Sequence, residues 1–336
     1  MHNRSFRRPY ISLVLPFILA ACAGGGHVAI PETIVPIPTL SALDINSSEV
    51  VGKTPDVKIQ TFNAGTGKAG KLESWRLKER NFFNDLVDKD NIVYQAPDGK
   101  LYKFNTYTDP ILPDSFHPNQ ALKTKQDTQQ TDNGGKLFAC CVKFATGFAA
   151  SKVGDDLRYG AWISKDGKAD LFVGGTLAPL AEMQGASAES PKATGKATYE
   201  VWALRVKNGE VVSSSYDLNS KENPIKSQVT VNFNTGKLGG KIVGNSDFGA
   251  DIDFKDVNVK GNRFSGNAVS DGQAGQVEGG FFGKKSSVYS PPSGQQIGGK
   301  ITFDSDRSLD SVFGGSINAR YNWNANDKSE DLTPLN

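Results

Sequence analysis

The 336-residue sequence sets 38 Lys and Arg against 36 Asp and Glu, a formal charge of +2, and holds only 3 Cys and 3 His. A balance this close to neutral argues against nucleic acid or a strongly anionic membrane as the main partner. His27 and His117 fall in segments without regular pattern, so nothing supplies a four-ligand metal set.

Arg4, Arg7 and Arg8 precede an apolar run, 11–20, that closes on Leu19-Ala20-Ala21-Cys22. A basic start, a short apolar segment and small residues at the cut predict a lipoprotein signal peptide over 1–21. The run is too short to span a bilayer. Cys22 is the expected lipidation site, taking diacylglycerol and becoming the new N-terminus. Cleavage there removes three arginines and no acid, taking the formal charge from +2 to −1. The protein is expected to be lipid-anchored rather than membrane-spanning, since acyl chains contribute about 0.8 kcal/mol per buried methylene. Residues 22–55, with Pro31, Pro36, Pro38 and Pro55, follow no apolar period and are expected to form a flexible tether.

The remainder reads as all-β. Residues 56–194 form an irregular first body, with strands expected over 57–62, 91–96, 101–107, 136–144, 157–163 and 170–174. Turns are expected at 95–100 and 164–168. The stretch 72–87 has apolar spacing that predicts a short amphipathic helix covering a sheet end. Two long connections, 109–135 and 176–194, are rich in Pro, Gln, Thr and Ser, and loops this long are usually functional or disordered. Cys140 and Cys141 are adjacent, with α-carbons about 3.8 Å apart. That is below the usual disulfide window of about 4.4–6.8 Å. An oxidising location favours a strained vicinal disulfide over two free thiols.

From 195 the pattern becomes regular. Strands are expected over 197–207, 211–216, 228–233, 237–243, 250–257, 263–269, 276–282, 296–303 and 311–319. They are separated by Asn-Gly-type turns at 207–210, 234–237 and 260–263. Such spacing reads as an antiparallel meander or barrel, here over 195–325 with a tail at 326–336. The strands are too short and too charged for an outer-membrane pore. Paired glycines at 239–240, 279–280, 298–299 and 314–315 precede no helix and carry no phosphate-loop pattern. They suggest bends or close backbone approach in a curved wall. No nucleophile–base set is present, so the chain is expected to bind rather than catalyse.

Four segments carry a family pattern: Arg263-Phe264-Ser265-Gly266-Asn267-Ala268, Val277-Glu278-Gly279-Gly280-Phe281-Phe282-Gly283, Gly298-Gly299-Lys300-Ile301-Thr302-Phe303 and Ser311-Val312-Phe313-Gly314-Gly315. Together they resemble the C-terminal eight-stranded barrel of the surface lipoproteins that include transferrin-binding protein B, factor H binding protein and the haem-scavenging lipoproteins. Length, the glycines beside Cys22 and the adjacent cysteines are most similar to the haemoglobin–haptoglobin utilisation lipoproteins of that group. The resemblance implies an N-terminal β-sandwich-like handle followed by a C-terminal eight-stranded antiparallel β-barrel, so one of the nine barrel segments must be a loop or an edge strand.

It further implies a protein of the outer membrane, exposed at the cell surface. Such a protein binds host haemoglobin and haemoglobin–haptoglobin and presents them to a TonB-dependent (HpuB-like) outer-membrane receptor for haem-iron acquisition. Haem would enter only as part of bound haemoglobin, with no cofactor of the protein's own. Loop residues Ile111, Leu112, Phe116, Leu180 and Met183 are the expected docking tips; their alternative role is local packing. Direct haem binding, capture of a complement regulator or of transferrin, and a purely structural envelope role are the competing readings.

Overall fold

Alternating side chains in the C-terminal half decide its architecture. In the computed structural model, β10 (Lys196–Lys207) directs Ala197, Tyr199, Val201 and Ala203 to one face, where they join a core of aromatic and aliphatic residues. The structure describes residues 39–80, 83–103, 128–140, 156–184, 193–214, 227–284, 293–317 and 323–335. Seven further strands continue the wall: β12 (Gln228–Asn232), β13 (Lys237–Ile242), β14 (Ile252–Lys260), β15 (Arg263–Ser270), β16 (Gln273–Phe282), β17 (Gln296–Thr302) and β18 (Ser311–Ile317). Each pairs antiparallel with the next, and β18 returns to β10 from Tyr199↔Ile317 to Leu204↔Val312. This is a closed eight-stranded antiparallel barrel.

The ninth expected strand is resolved by the length of β10. β11 (Glu210–Ser213) pairs only with the last residues of β10, through a turn in which Asn208 and Gly209 both adopt positive φ. Two positive φ values are what a tight hairpin of matching twist requires. β11 is therefore a hairpin extension above the barrel.

Phe233, Phe254, Phe264, Phe281, Phe303 and Phe313 fill the barrel interior, whereas Lys255, Arg263 and Glu278 lie on exposed or half-exposed wall positions. A packed lumen with a polar wall is the inverse of a lipid-facing pore. No helix among the described residues is long and apolar enough to cross a membrane.

The handle consists of two sheets. β1 (Val50–Lys53), β3 (Lys71–Arg80), β4 (Leu86–Gln95) and β5 (Leu101–Lys103) form the outer one. β2 (Gln60–Ala64), β6 (Gln129–Gln130), β7 (Lys136–Cys140), β8 (Leu157–Ile163) and β9 (Ala169–Gly175) form the inner one, in the order β2-β9-β8-β7-β6. Every residue of β8 and β9 is buried, because each face has a different neighbour. Trp162 and Phe172 meet Leu72, Tyr94 and Tyr102 of the outer sheet, with the Tyr94 and Phe172 rings stacked at 4.2 Å. Leu157, Tyr159, Ala161, Leu171 and Val173 face the other way, onto Trp202, Leu204, Phe282 and Val312 of the barrel wall.

The paired glycines explain how close that approach is. A Cβ on Gly298 would lie 2.7 Å from Val173, and one on Gly314 would lie 2.5 Å from the Tyr159 ring. Barrel and handle therefore share an apolar interface that these positions hold open. Polar ties flank it. The Gly65 N–H donates to Asp310, Arg307 donates to the Gly65 carbonyl, and Arg263 donates to Gln60.

Two expectations change. The stretch 72–87 is no helix: it holds β3 from Leu72 onward and the first two residues of β4, which pair in an unbroken register from Lys71↔Gln95 to Arg80↔Leu86. Cross-strand pairing against a second charged strand, as in Arg76↔Asp90 at 2.8 Å, outweighs its helical spacing. The tether does not run to 55. Leu40 is buried and its N–H donates to the Gln130 carbonyl, and β1 pairs with β3 from Val50↔Leu77 to Lys53↔Trp75. The tail, on which the sequence gives no structural expectation, is folded onto the wall. Lys196 pairs with Asp331 at 2.8 Å, Asn232 donates to the Ser329 and Asp331 carbonyls, and the Leu335 N–H donates to Thr198.

Candidate functional site

Among the described residues, the β3–β4 hairpin carries the most exposed large apolar side chains. Its base is packed: Leu72, Leu77, Ile92, Val93 and Tyr94 are buried. Its distal half extends past the sandwich, and Leu86 to Asp90 are all solvent-exposed. Ion pairs stiffen this arm. Arg76 bridges Asp90 at 2.8 Å and Lys103 bridges Glu79 at 2.7 Å. The Arg76 guanidinium beside Asp90 holds that carboxyl below its usual range.

At the tip, Asn84 takes a positive φ of 67° and its carbonyl accepts from Arg80 at 2.8 Å. Beside it, Phe83 is 79% exposed and Leu86 62% exposed, with Val87 next to them. Exposed large apolar residues grouped at the end of a supported arm make the tip a candidate contact surface. They also suit the anchor role that a few apolar or aromatic residues play in protein interfaces.

The expected docking residues separate. Ile111, Leu112 and Phe116 lie outside the described residues, as do Cys22 and Cys141. The first part of the 176–194 connection is pinned to the barrel rim. The Ala178 N–H donates to the Phe281 carbonyl, Asn262 donates to the Ala178 carbonyl, and a short helix α1 (Leu180–Gln184) follows. On this helix Leu180 is 50% exposed, whereas Met183 is 4% exposed and packs against Gly294 and the barrel core. Met183 is thus a packing residue rather than a tip. Phe83, Leu86 and Val87 were not among the expected residues, because reading 72–87 as a helix hid the Asn84-Asp85 turn between them. Among the described residues no group of three His, Cys, Asp or Glu is placed to hold a metal ion.

A family model described as "HpuA: Haemoglobin-haptoglobin utilisation, porphyrin transporter" matches residues 90–335. The chain belongs to this family. HpuA from Kingella denitrificans, solved in complex with human haemoglobin, is 40% identical, covering 89% of this chain and 100% of that one at a TM-score of 0.75. The apo crystal structure of the same haemoglobin receptor is 41% identical, covering 89% of this chain and 99% of that one at a TM-score of 0.74. Transferrin binding protein B from serogroup B Neisseria meningitidis aligns more loosely, at 17% identity over 77% of this chain and 43% of that one, with a TM-score of 0.39. No curated protein matches the chain by sequence. Family membership bears out the resemblance carried by the barrel glycines, and the handle–barrel architecture matches what it implied.

Proposed function

We propose that this chain is a surface lipoprotein that binds host haemoglobin, alone or with haptoglobin, through its handle. It then presents the haemoglobin to a TonB-dependent outer-membrane receptor for haem-iron acquisition. The observation that carries this reading is the 40% identity, over the whole length of that chain, to an HpuA solved with human haemoglobin bound. The lipid anchor at Cys22 rests on the signal sequence, the position at the cell surface rests on the family resemblance, and both complete the proposal. The apolar hairpin tip supports it physically. A specific interface buries about 1,600 Å² and depends on a few well-packed anchors, and Phe83, Leu86 and Val87 offer such anchors on a stiffened arm. The connection containing Ile111, Leu112 and Phe116 supplies the second part of the proposed surface. Binding needs no chemistry from the protein, and haem arrives inside the globin.

Capture from haemolysed serum followed by identification of the retained protein tests the reading. Haemoglobin should be the principal species, and its absence would overturn the proposal. The Phe83→Asp/Leu86→Asp variant and the Leu112→Asp/Phe116→Asp variant should each weaken capture at least about tenfold, a loss of about 1.4 kcal/mol. Both should unfold at the wild-type temperature. Undiminished capture by both would remove the handle as the docking surface.

A further inference from the structure

At the end of the β3–β4 hairpin opposite its tip lies a cleft of about 440 Å³. Four turns wall it: 65–70 between β2 and β3, 96–100 between β4 and β5, 131–135 between β6 and β7, and 164–168 between β8 and β9. Trp162 and Pro97 contribute its apolar lining. Gly135 covers part of the indole so closely that a Cβ there would stand 2.7 Å from the ring. The volume falls in the range of small-molecule sites, about 300–1,000 Å³, and is far more than a bare inorganic ion fills.

The polar lining is balanced in formal charge but uneven in hydrogen bonding. Three carboxylates and three ammonium groups face the cleft, and the carboxylates already accept hydrogen bonds. Asp98 accepts from the Lys100 N–H at 3.1 Å and from the Asn133 amide. Asp166 accepts from the Ser164 hydroxyl. Asp170 accepts from the Gly70 N–H at 2.8 Å, the Tyr94 hydroxyl at 2.7 Å and the Asn63 amide at 2.9 Å. In contrast, the side-chain ammonium groups of Lys68, Lys165 and Lys168 make no hydrogen bond or close ion pair among the described residues, and Lys165 and Lys168 act on Asp166 only through space. Each ammonium carries three donors and no acceptor. The cleft therefore holds hydrogen-bonded carboxylates beside three ammonium groups whose donor positions are open.

We propose that this cleft is a second binding site, for an organic anion: its carboxylate or phosphate group sits on Lys68, Lys165 and Lys168, and its apolar body lies against Pro97 and Trp162. The site is separate from the hairpin tip. The ten-residue strands β3 and β4 lie between them, about 30 Å at the usual strand rise.

Calorimetric titration of the full chain tests it with four probes: phenyl phosphate, benzoate, inorganic phosphate and benzyl alcohol. Phenyl phosphate and benzoate should bind, and should lose at least about tenfold in affinity in the Lys68→Gln/Lys165→Gln/Lys168→Gln variant. The single Lys165→Glu variant should show the same direction of change with a smaller perturbation of the fold. Haemoglobin capture by both variants should stay at the wild-type level, which separates this site from the proposed function. Failure of both organic anions to bind would overturn the proposal. So would undiminished binding by both variants, or benzyl alcohol binding as tightly as benzoate. Inorganic phosphate matching phenyl phosphate would refute the apolar half of the site.

Discussion

Gly314→Ala probes the contact that joins handle to barrel. The added Cβ would stand 2.5 Å from Tyr159 Cδ1 and 2.6 Å from Cε1, closer than real Cβ contacts. Tyr159 is wholly buried and sits on β8, which is hydrogen-bonded on both sides to β7 and β9, so its ring cannot retreat without moving the sheet. Gly314 lies outside the left-handed region, and alanine suits its backbone. Restricting the unfolded chain then favours alanine by about 0.4–1 kcal/mol. Overpacking a filled core costs about 1–3 kcal/mol.

The net expectation is a loss of about 1–2 kcal/mol, a fall in Tm of several degrees for a domain of this size. Calorimetry on the wild type and variant measures it directly. A double-mutant cycle sharpens the test. Tyr159→Val alone opens a cavity and destabilises, but it also removes the ring that the new methyl strikes. The Gly314→Ala/Tyr159→Val protein should therefore lose less than the sum of the single losses, by about 1 kcal/mol or more. An unchanged or higher Tm in Gly314→Ala, or strict additivity in the cycle, would refute the idea that this glycine is there to admit Tyr159.

Two further outcomes follow from the polar contacts. Burial raises the Glu73 carboxyl, but hydrogen bonds from Lys53, Lys71 and Trp75 outweigh it and leave it at about 2, below the ordinary 4.5. Its stabilisation is therefore present above about pH 4.5 and lost as pH falls toward 2. Denaturant melts should show the gap between wild type and Glu73→Gln closing over that window, by about 1–2 kcal/mol given the half-exposed lysines. Lys196 anchors the folded tail through Asp331 at 2.8 Å and Ser329 at 3.1 Å. Lys196→Met should speed amide exchange in residues 327–335 while changing global stability by about 1 kcal/mol or less. An unchanged exchange rate there would show that the Asn232 and Thr198 bonds hold the tail alone.

The barrel was legible because each of its strands carries its own evidence. Alternation places Val229 and Val231 inside, and turns such as Asn208-Gly209 declare their conformation through residue type. The paired glycines were readable as close approaches, but not what approached them. Tyr159 and Val173 come from strands more than a hundred residues earlier. The hairpin of β3 and β4 was misread for a related reason. Its charges and apolar residues suit a helix locally, and only pairing with the strand that begins six residues further on makes the extended form the better one.

The order of the apolar and turn residues by itself determined an all-β chain and a C-terminal run of antiparallel strands, while the count of eight and the family came from the motif resemblance. The first two depend on periodicity and turn chemistry, which act over a few neighbours. Tertiary structure alone decided that residues 40–53 and the tail are folded, that Met183 faces inward, and that Phe83 and Leu86 face outward. Burial is a property of what the rest of the chain brings alongside a residue, and that information lies at long range.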